Sequence, residues 1–139
     1  MIYNIKLKKV QKSDIVFLYE LLKDRNPKAN ISHKKMPTFS EHTKFVCSKP
    51  YKSWYVVLMN KQKVGSVYLS KQYEIGIFLL KEFQKLGIGK TILQLLISKN
   101  PQYRYLANVS PKNYESIKFF KNNNFKLIQY TFELIPHHE

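Results

Sequence analysis

The stretch Gln84-Lys85-Leu86-Gly87-Ile88-Gly89-Lys90 constrains this chain more than any other. An apolar run precedes it (Ile75, Ile77, Phe78, Leu79, Leu80), and a helical pattern follows it (Ile88, Ile92, Leu95, Leu96). The spacing predicts a buried strand, a short glycine turn and an amphipathic helix. Such a turn suits an anion. Glycine lets the backbone approach closely, successive N–H groups converge, and the helix N-terminus carries partial positive charge. Lys85 and Lys90 add charge beside it. A pyrophosphate cradle is one reading; glycine serving turn geometry alone is the other. The spacing is neither that of a Walker A loop nor a complete Gly-x-Gly-x-x-Gly, because position 92 is Ile.

The rest of the chain reads as a single domain over 1–135, with 136–139 as a flexible tail. Its 139 residues are 44% hydrophobic, enough for a real core. Residues 2–9 alternate as a first strand with one wet face. Ser13-Asp14 opens a helix with the stripe Ile15, Leu18, Tyr19, Leu22, and Pro27 ends it. A polar loop spans 26–37. Thr38-Phe39-Ser40-Glu41 is a capping box for a second helix, with Phe45, Val46 and Cys47 on its apolar side. Trp54–Met59 and Val64–Leu69 form a hairpin, followed by a strand from Tyr73 to Leu80. Gly76 within that strand suggests a bulge or a close backbone approach. After the helix over 88–99, a fifth strand is predicted over Tyr103–Val109. Ser110-Pro111 starts a last helix carrying Ile117, Phe119 and Phe120, Asn122-Asn123-Asn124 closes it, and a final strand covers Phe125–Leu134. The order βααβββαβαβ predicts an α/β (α+β) sheet with helices on its faces.

Two segments resemble the signatures of the GNAT superfamily of acyl-CoA N-acyltransferases. The first signature is Arg or Gln, two residues, Gly, one residue, Gly or Ala, matched by Gln84, Gly87 and Gly89. The second runs from an asparagine to a small residue three on and an aromatic seven on, matched by Asn113, Ser116, Phe120 and then Phe125. The resemblance implies a single mixed, mostly antiparallel sheet of six to seven strands with four helices. It implies acetyl-CoA as acetyl donor. Ile77, Phe78 and Leu79 would pair with its pantetheine arm, Gln84, Lys85, Leu86, Gly87, Ile88, Gly89 and Lys90 would hold its pyrophosphate, and Asn113 would touch the arm from the side. Arg25-Asn26, Glu41-His42 and Phe45 are similar to the amino-sugar and ribosomal-protein-type branches, with the pseudaminic-acid pathway enzymes nearest.

The implied reaction is direct acetyl transfer to a primary amine of a small molecule, with an amino sugar or nucleotide-linked amino sugar as the candidate acceptor. Protein N-terminal or lysine acetylation and a non-catalytic CoA-binding module are the alternatives. An amine with a pKa near about 10 must lose a proton before attack. Glu74 on the strand before the turn and His42 on the second helix are the candidate bases; Glu82 reads as a surface residue. Where the superfamily often has a tyrosine to protonate the departing thiolate, this chain has Phe120, which leaves Tyr103, Tyr105, Tyr114 or a water.

The charge of +15 attracts polyanions, yet only Arg25 and Arg104 are arginines and the lysines are scattered, which disfavours a nucleic-acid partner. No metal is expected, because His33, His42, His137 and His138 lack ligand spacing and Cys47 stands alone. With one cysteine, no signal-type apolar stretch over Met1–Lys6 and no run long enough to span a bilayer, a cytoplasmic monomer or homodimer without membrane contact is expected.

Overall fold

The computed structural model describes residues 3–25 and 36–137. Four strands, β1 (Ile5–Lys9), β2 (Ser53–Met59), β3 (Gln62–Leu69) and β4 (Ile75–Leu79), form one antiparallel sheet in the order β1-β2-β3-β4. Four helices accompany it among the described residues: α1 (Ile15–Asp24), α2 (Phe39–Cys47), α3 (Gly89–Lys99) and α4 (Tyr114–Asn122). The polar loop predicted at 26–37 lies, as far as residue 35, outside the described residues, as do the last two residues of the predicted tail.

The alternating strands sort their side chains to two faces. Tyr55, Val57, Met59, Val67, Leu69 and Ile75 pack with Ile88, Ile92, Leu93 and Leu96 at and along α3. Ile15 and Leu18 of α1 and Val46 of α2 form a second cluster with Val10, Phe17 and Trp54. A register shift pairs Val57 with Gly65 but Leu58 with Lys63, so Val64 is the extra residue of a bulge between β2 and β3. Buried Asp14 accepts from Lys63 at 2.7 Å and from Lys8 at 3.2 Å, and thereby ties the start of α1 to β1 and β3. Burial alone would raise the Asp14 pKa, but the bonds from Lys63, the Gln11 N–H and Lys8 outweigh it and lower it.

The sequence expectation of six to seven strands is corrected to four. The fifth strand reduces to one parallel bridge, Glu74 with Leu106. Ile75 N–H donates to Leu106 O and Leu106 N–H to Tyr73 O, both at 2.8 Å, and no further rung forms. Among the described residues no strand forms over 125–134, and the sheet ends at β4. Ser110-Pro111 does not begin α4 either. Ser110 closes a turn onto Asn113 N–H, and Asn113 is the true cap, its Oδ1 accepting from Ser116 N–H at 3.2 Å. Cys47 is exposed rather than on the apolar side of α2. Gly76 sits in unbroken register with Tyr68, so no bulge forms there; the Tyr68 ring lies where a Cβ would project.

Candidate active site

One cavity of about 1070 Å³ runs from α1 and α2, past β4, to the start of α3 and to α4. Its backbone wall follows from strand parity. Leu80 N–H donates to Val64 O on β3, whereas Ile75 N–H donates the opposite way to Leu106. Alternation therefore turns the backbone groups of Gly76 and Phe78 toward β3, and those of Ile77 and Leu79 toward the open edge. Only at Glu74–Ile75 does the 103–109 segment close that edge. Of the three residues named for the pantetheine arm, Ile77 and Leu79 thus present backbone groups to the edge, and Phe78 presents its ring to the cavity. Gln84 Nε2 caps Leu79 O at 3.0 Å, which leaves the Ile77 N–H and C=O and the Leu79 N–H.

The turn continues that wall. Lys85 (φ 65°) and Gly87 (φ 75°) both take the left-handed conformation. A Cβ on Gly87 would meet nothing within 4 Å, so its φ rather than crowding explains the glycine. Gly89 is different: a Cβ there would come within 2.9 Å of the Phe119 ring. Among the described residues, the N–H groups of Lys85 through Thr91 donate to no protein acceptor, and Ile88, the residue before α3, offers no side-chain cap. Seven consecutive donors beside an uncapped helix start fit a pyrophosphate. Lys85 and Lys90 flank them, Lys85 with a loose 3.9 Å contact to Glu115 in which both side chains are exposed. Asn113 lines the cavity with its Oδ1 engaged as a cap.

The other end is aromatic with titratable groups. Tyr51 and Tyr68 stack at 3.8 Å, Trp54 meets Tyr51 edge-on at 4.9 Å, and the Arg25 guanidinium lies 4.5 Å over Phe78. Burial is the largest cause raising the pKa of both Tyr51 and Tyr68, with Tyr68 adding to the rise at Tyr51 and Glu74 at Tyr68 against an opposing effect of Arg25 on each, so both stay protonated at neutral pH. Glu74 accepts from Ser70 Oγ at 3.3 Å and from Asn108 Nδ2, which fixes its carboxylate. His42 is buried at 6% exposure, and its Nε2 has no hydrogen-bond partner among the described residues. Burial lowers its pKa, which leaves a neutral imidazole able to accept a proton.

Both candidate bases therefore line one cavity, and Phe120 lines it too. The tyrosines suggested by sequence do not. Tyr103 and Tyr114 are exposed, and Tyr105 donates to Asn100 O at 2.5 Å. Tyr51 and Tyr68 were missed because no motif or spacing singles them out among the 10 Tyr and 9 Phe residues spread along the chain. Glu82 is exposed. Among the described residues no group of three or more His, Cys, Asp or Glu could hold a metal, and no helix is long and apolar enough to cross a membrane.

A profile of the Acetyltransferase (GNAT) family matches residues 15–125, and the chain belongs to this family. No curated protein sequence matches it significantly. Among solved structures, a domain from Methanocaldococcus jannaschii is 26% identical, with a TM-score of 0.76 over 95% of this chain and 94% of that one. An N-acetyltransferase from Staphylococcus aureus is 25% identical, with a TM-score of 0.72 over 88% and 84%. The ribosomal-protein α-N-acetyltransferase RimL in complex with coenzyme A is 18% identical, with a TM-score of 0.75 over 90% and 81%. At that identity the likeness shows the fold alone.

Proposed function

We propose that this chain is an acetyl-CoA-dependent N-acetyltransferase acting on a primary amine of a small molecule, with amino sugars and their nucleotide conjugates as the first acceptors to test. One observation carries the proposal: the open β4 edge at Ile77 and Leu79 lines the same cavity as the residues Lys85–Lys90, whose N–H groups have no protein acceptor among the described residues. The edge suits an extended amide-bearing arm, as an added strand, and the turn suits the diphosphate at its end. Acetyl-CoA supplies the activated thioester carbonyl.

The protein's own groups divide the work. The Ile77 N–H, turned from the sheet, is placed to stabilise negative charge on the carbonyl oxygen. Glu74, held by Ser70 and Asn108, takes the amine proton directly or through a water, and neutral His42 is the second base on the same cavity. Departure of a thiolate with a pKa near about 8.5 costs only about 2 kcal/mol unassisted at pH 7, so Phe120 does not preclude turnover. The aromatic wall of Tyr51, Trp54 and Tyr68, with Glu41 beside it, forms the acceptor end and suits a cation or a sugar face.

The test is thiol release from acetyl-CoA with a panel of amino-sugar nucleotides, polyamines and peptides with free N-termini. Glu74→Gln should lower kcat by about 10²–10⁴ with the KM for acetyl-CoA retained. Binding of acetyl-CoA without thiol release from any amine would favour the non-catalytic CoA-binding reading, which Phe120 supports. Release with peptides alone would favour protein acetylation.

A further inference from the structure

Phe120 lines the cavity with no proton to give to a departing thiolate. A phenol reaches the same cavity by another route. Of the tyrosines among the described residues, Tyr51 and Tyr68 line it. Tyr68 lies on β3 opposite Gly76 of β4, in unbroken register. Its ring crosses β4 through the space that a side chain at position 76 would fill, with the hydroxyl oxygen 2.7 Å from where a Cβ would stand. Tyr51 stacks on that ring at 3.8 Å with 4° between the planes, and Phe78 flanks it at 6.0 Å. The missing Cβ and the stack together hold the Tyr68 hydroxyl over β4.

That place adjoins the groups assigned to the reaction. The peptide linking Gly76 to Ile77 carries the N–H set against the carbonyl oxygen, and Glu74 stands two residues before Gly76 on the same cavity. Burial is the largest influence on the Tyr68 pKa and raises it. Arg25 opposes the rise, the Glu74 charge adds to it, and a hydrogen bond with Tyr51 opposes it. The phenol therefore keeps its proton at neutral pH. Glu74 also links the two proton transfers. Once it has taken the amine proton its charge is gone, and Tyr68 becomes a stronger acid than before.

We propose that Tyr68 is the proton donor to the departing sulfur, filling from β3 the role that Phe120 cannot. This rests on the acetyltransferase reading and adds a catalytic residue to it. The step balances. Glu74 takes a proton from the attacking nitrogen, the C–S bond breaks with its electron pair on sulfur, and the Tyr68 O–H gives its proton to that sulfur. The proton on Glu74 then returns to the Tyr68 phenolate through a water, so both groups end as they began. Arg25, 4.5 Å over the Phe78 ring, supplies positive charge near the phenolate while it lasts.

The test compares CoA with desulfo-CoA, which lacks the thiol. At about pH 9 a thiol with a pKa near about 8.5 is mostly ionised, so the phenol meets a thiolate. Calorimetry there should show the wild type binding CoA about tenfold more tightly than desulfo-CoA. Tyr68→Phe, which keeps the ring and its stack, should make the two affinities equal and leave that for desulfo-CoA unchanged. Gly76→Ala, which pushes the ring aside, should also abolish the difference. With ¹³Cζ-labelled tyrosine, the wild-type Tyr68 resonance should move on addition of CoA and stay in place with desulfo-CoA. In the thiol-release assay, with the panel amine that reacts fastest, Tyr68→Phe should lower kcat by about 10- to 30-fold at pH 7 with the KM for acetyl-CoA retained. The upper figure is the ratio of thiol to thiolate at that pH. Equal wild-type affinity for CoA and desulfo-CoA, a difference that survives Tyr68→Phe, or a kcat unmoved by that substitution would each overturn the proposal and leave the acetyltransferase reading standing. Binding of neither ligand would overturn both.

Discussion

Helices α2 and α3 start in opposite ways. At α2 the chain satisfies its own donors: Thr38 Oγ1 accepts from Glu41 N–H at 3.1 Å, and Glu41 Oε1 accepts from Thr38 N–H at 2.8 Å. At α3 the cap is Ile88, whose side chain can accept nothing, and the N–H groups from Lys85 to Thr91 have no protein acceptor among the described residues. A helix start costs free energy unless its donors are engaged. Both helices border the cavity, α2 through Glu41, His42 and Phe45, but the chain engages these donors locally at α2 and leaves them open at α3, beside the glycine turn. The lesson lies in the contrast, since an uncapped helix alone carries little information.

The largest effect expected to separate the two starts comes from Gly87→Trp. The substitution places a bulky side chain at φ 75°, straining the turn by about 1–2 kcal/mol, and fills the space before the free donors. Acetyl-CoA affinity, read by calorimetry, should fall more than roughly 100-fold, about 2.8 kcal/mol. Thr38→Ala should show the reverse pattern. It removes about 1 kcal/mol of stability in chemical denaturation and leaves acetyl-CoA affinity unchanged. Lys90→Ala, at the exposed rim of the turn, should weaken binding by roughly threefold at low salt, and by less as salt screens the charge.

The smallest effect is a pH dependence on the α2 side. Burial lowers the His42 pKa, so on acidification below about 6.5 the unfolded chain takes up a proton that the folded chain resists. Stability should therefore fall as pH drops through that window and be fully present above it. His42→Gln should flatten this slope in urea melts at a series of pH values.

The legible parts of the chain were those that local chemistry decides. The Thr38–Glu41 box, the β2–β3 hairpin and the glycine turn appear where residue type and spacing place them, and the stripe of α1 holds at Ile15 and Leu18, with Leu21 buried where Leu22 was expected. Asn124 takes the left-handed conformation its residue type allows. The misreadings are tertiary. Tyr103–Val109 and Phe125–Leu134 have strand patterns, but a strand needs a partner, and period alone cannot say whether one is present. Ser110-Pro111 has the chemistry of a helix start, yet Asn113, three residues on, supplies the cap. Gln84, Gly87, Gly89 and Asn113, which the family resemblance named, all line the cavity. The stacking of Tyr51 on Tyr68 and the anchoring of Glu74 by Asn108 join residues far apart in sequence, which no local signal encodes.

The most direct measurement is a ¹H–¹⁵N correlation spectrum of the labelled protein titrated with acetyl-CoA. The account predicts that the amides of Lys85–Thr91 and Ile77 shift most, and that those of Phe39–Glu41 at the self-capped start of α2 do not move. Shifts confined to α2, or a spectrum unchanged at Lys85–Thr91 under saturating acetyl-CoA, would contradict it.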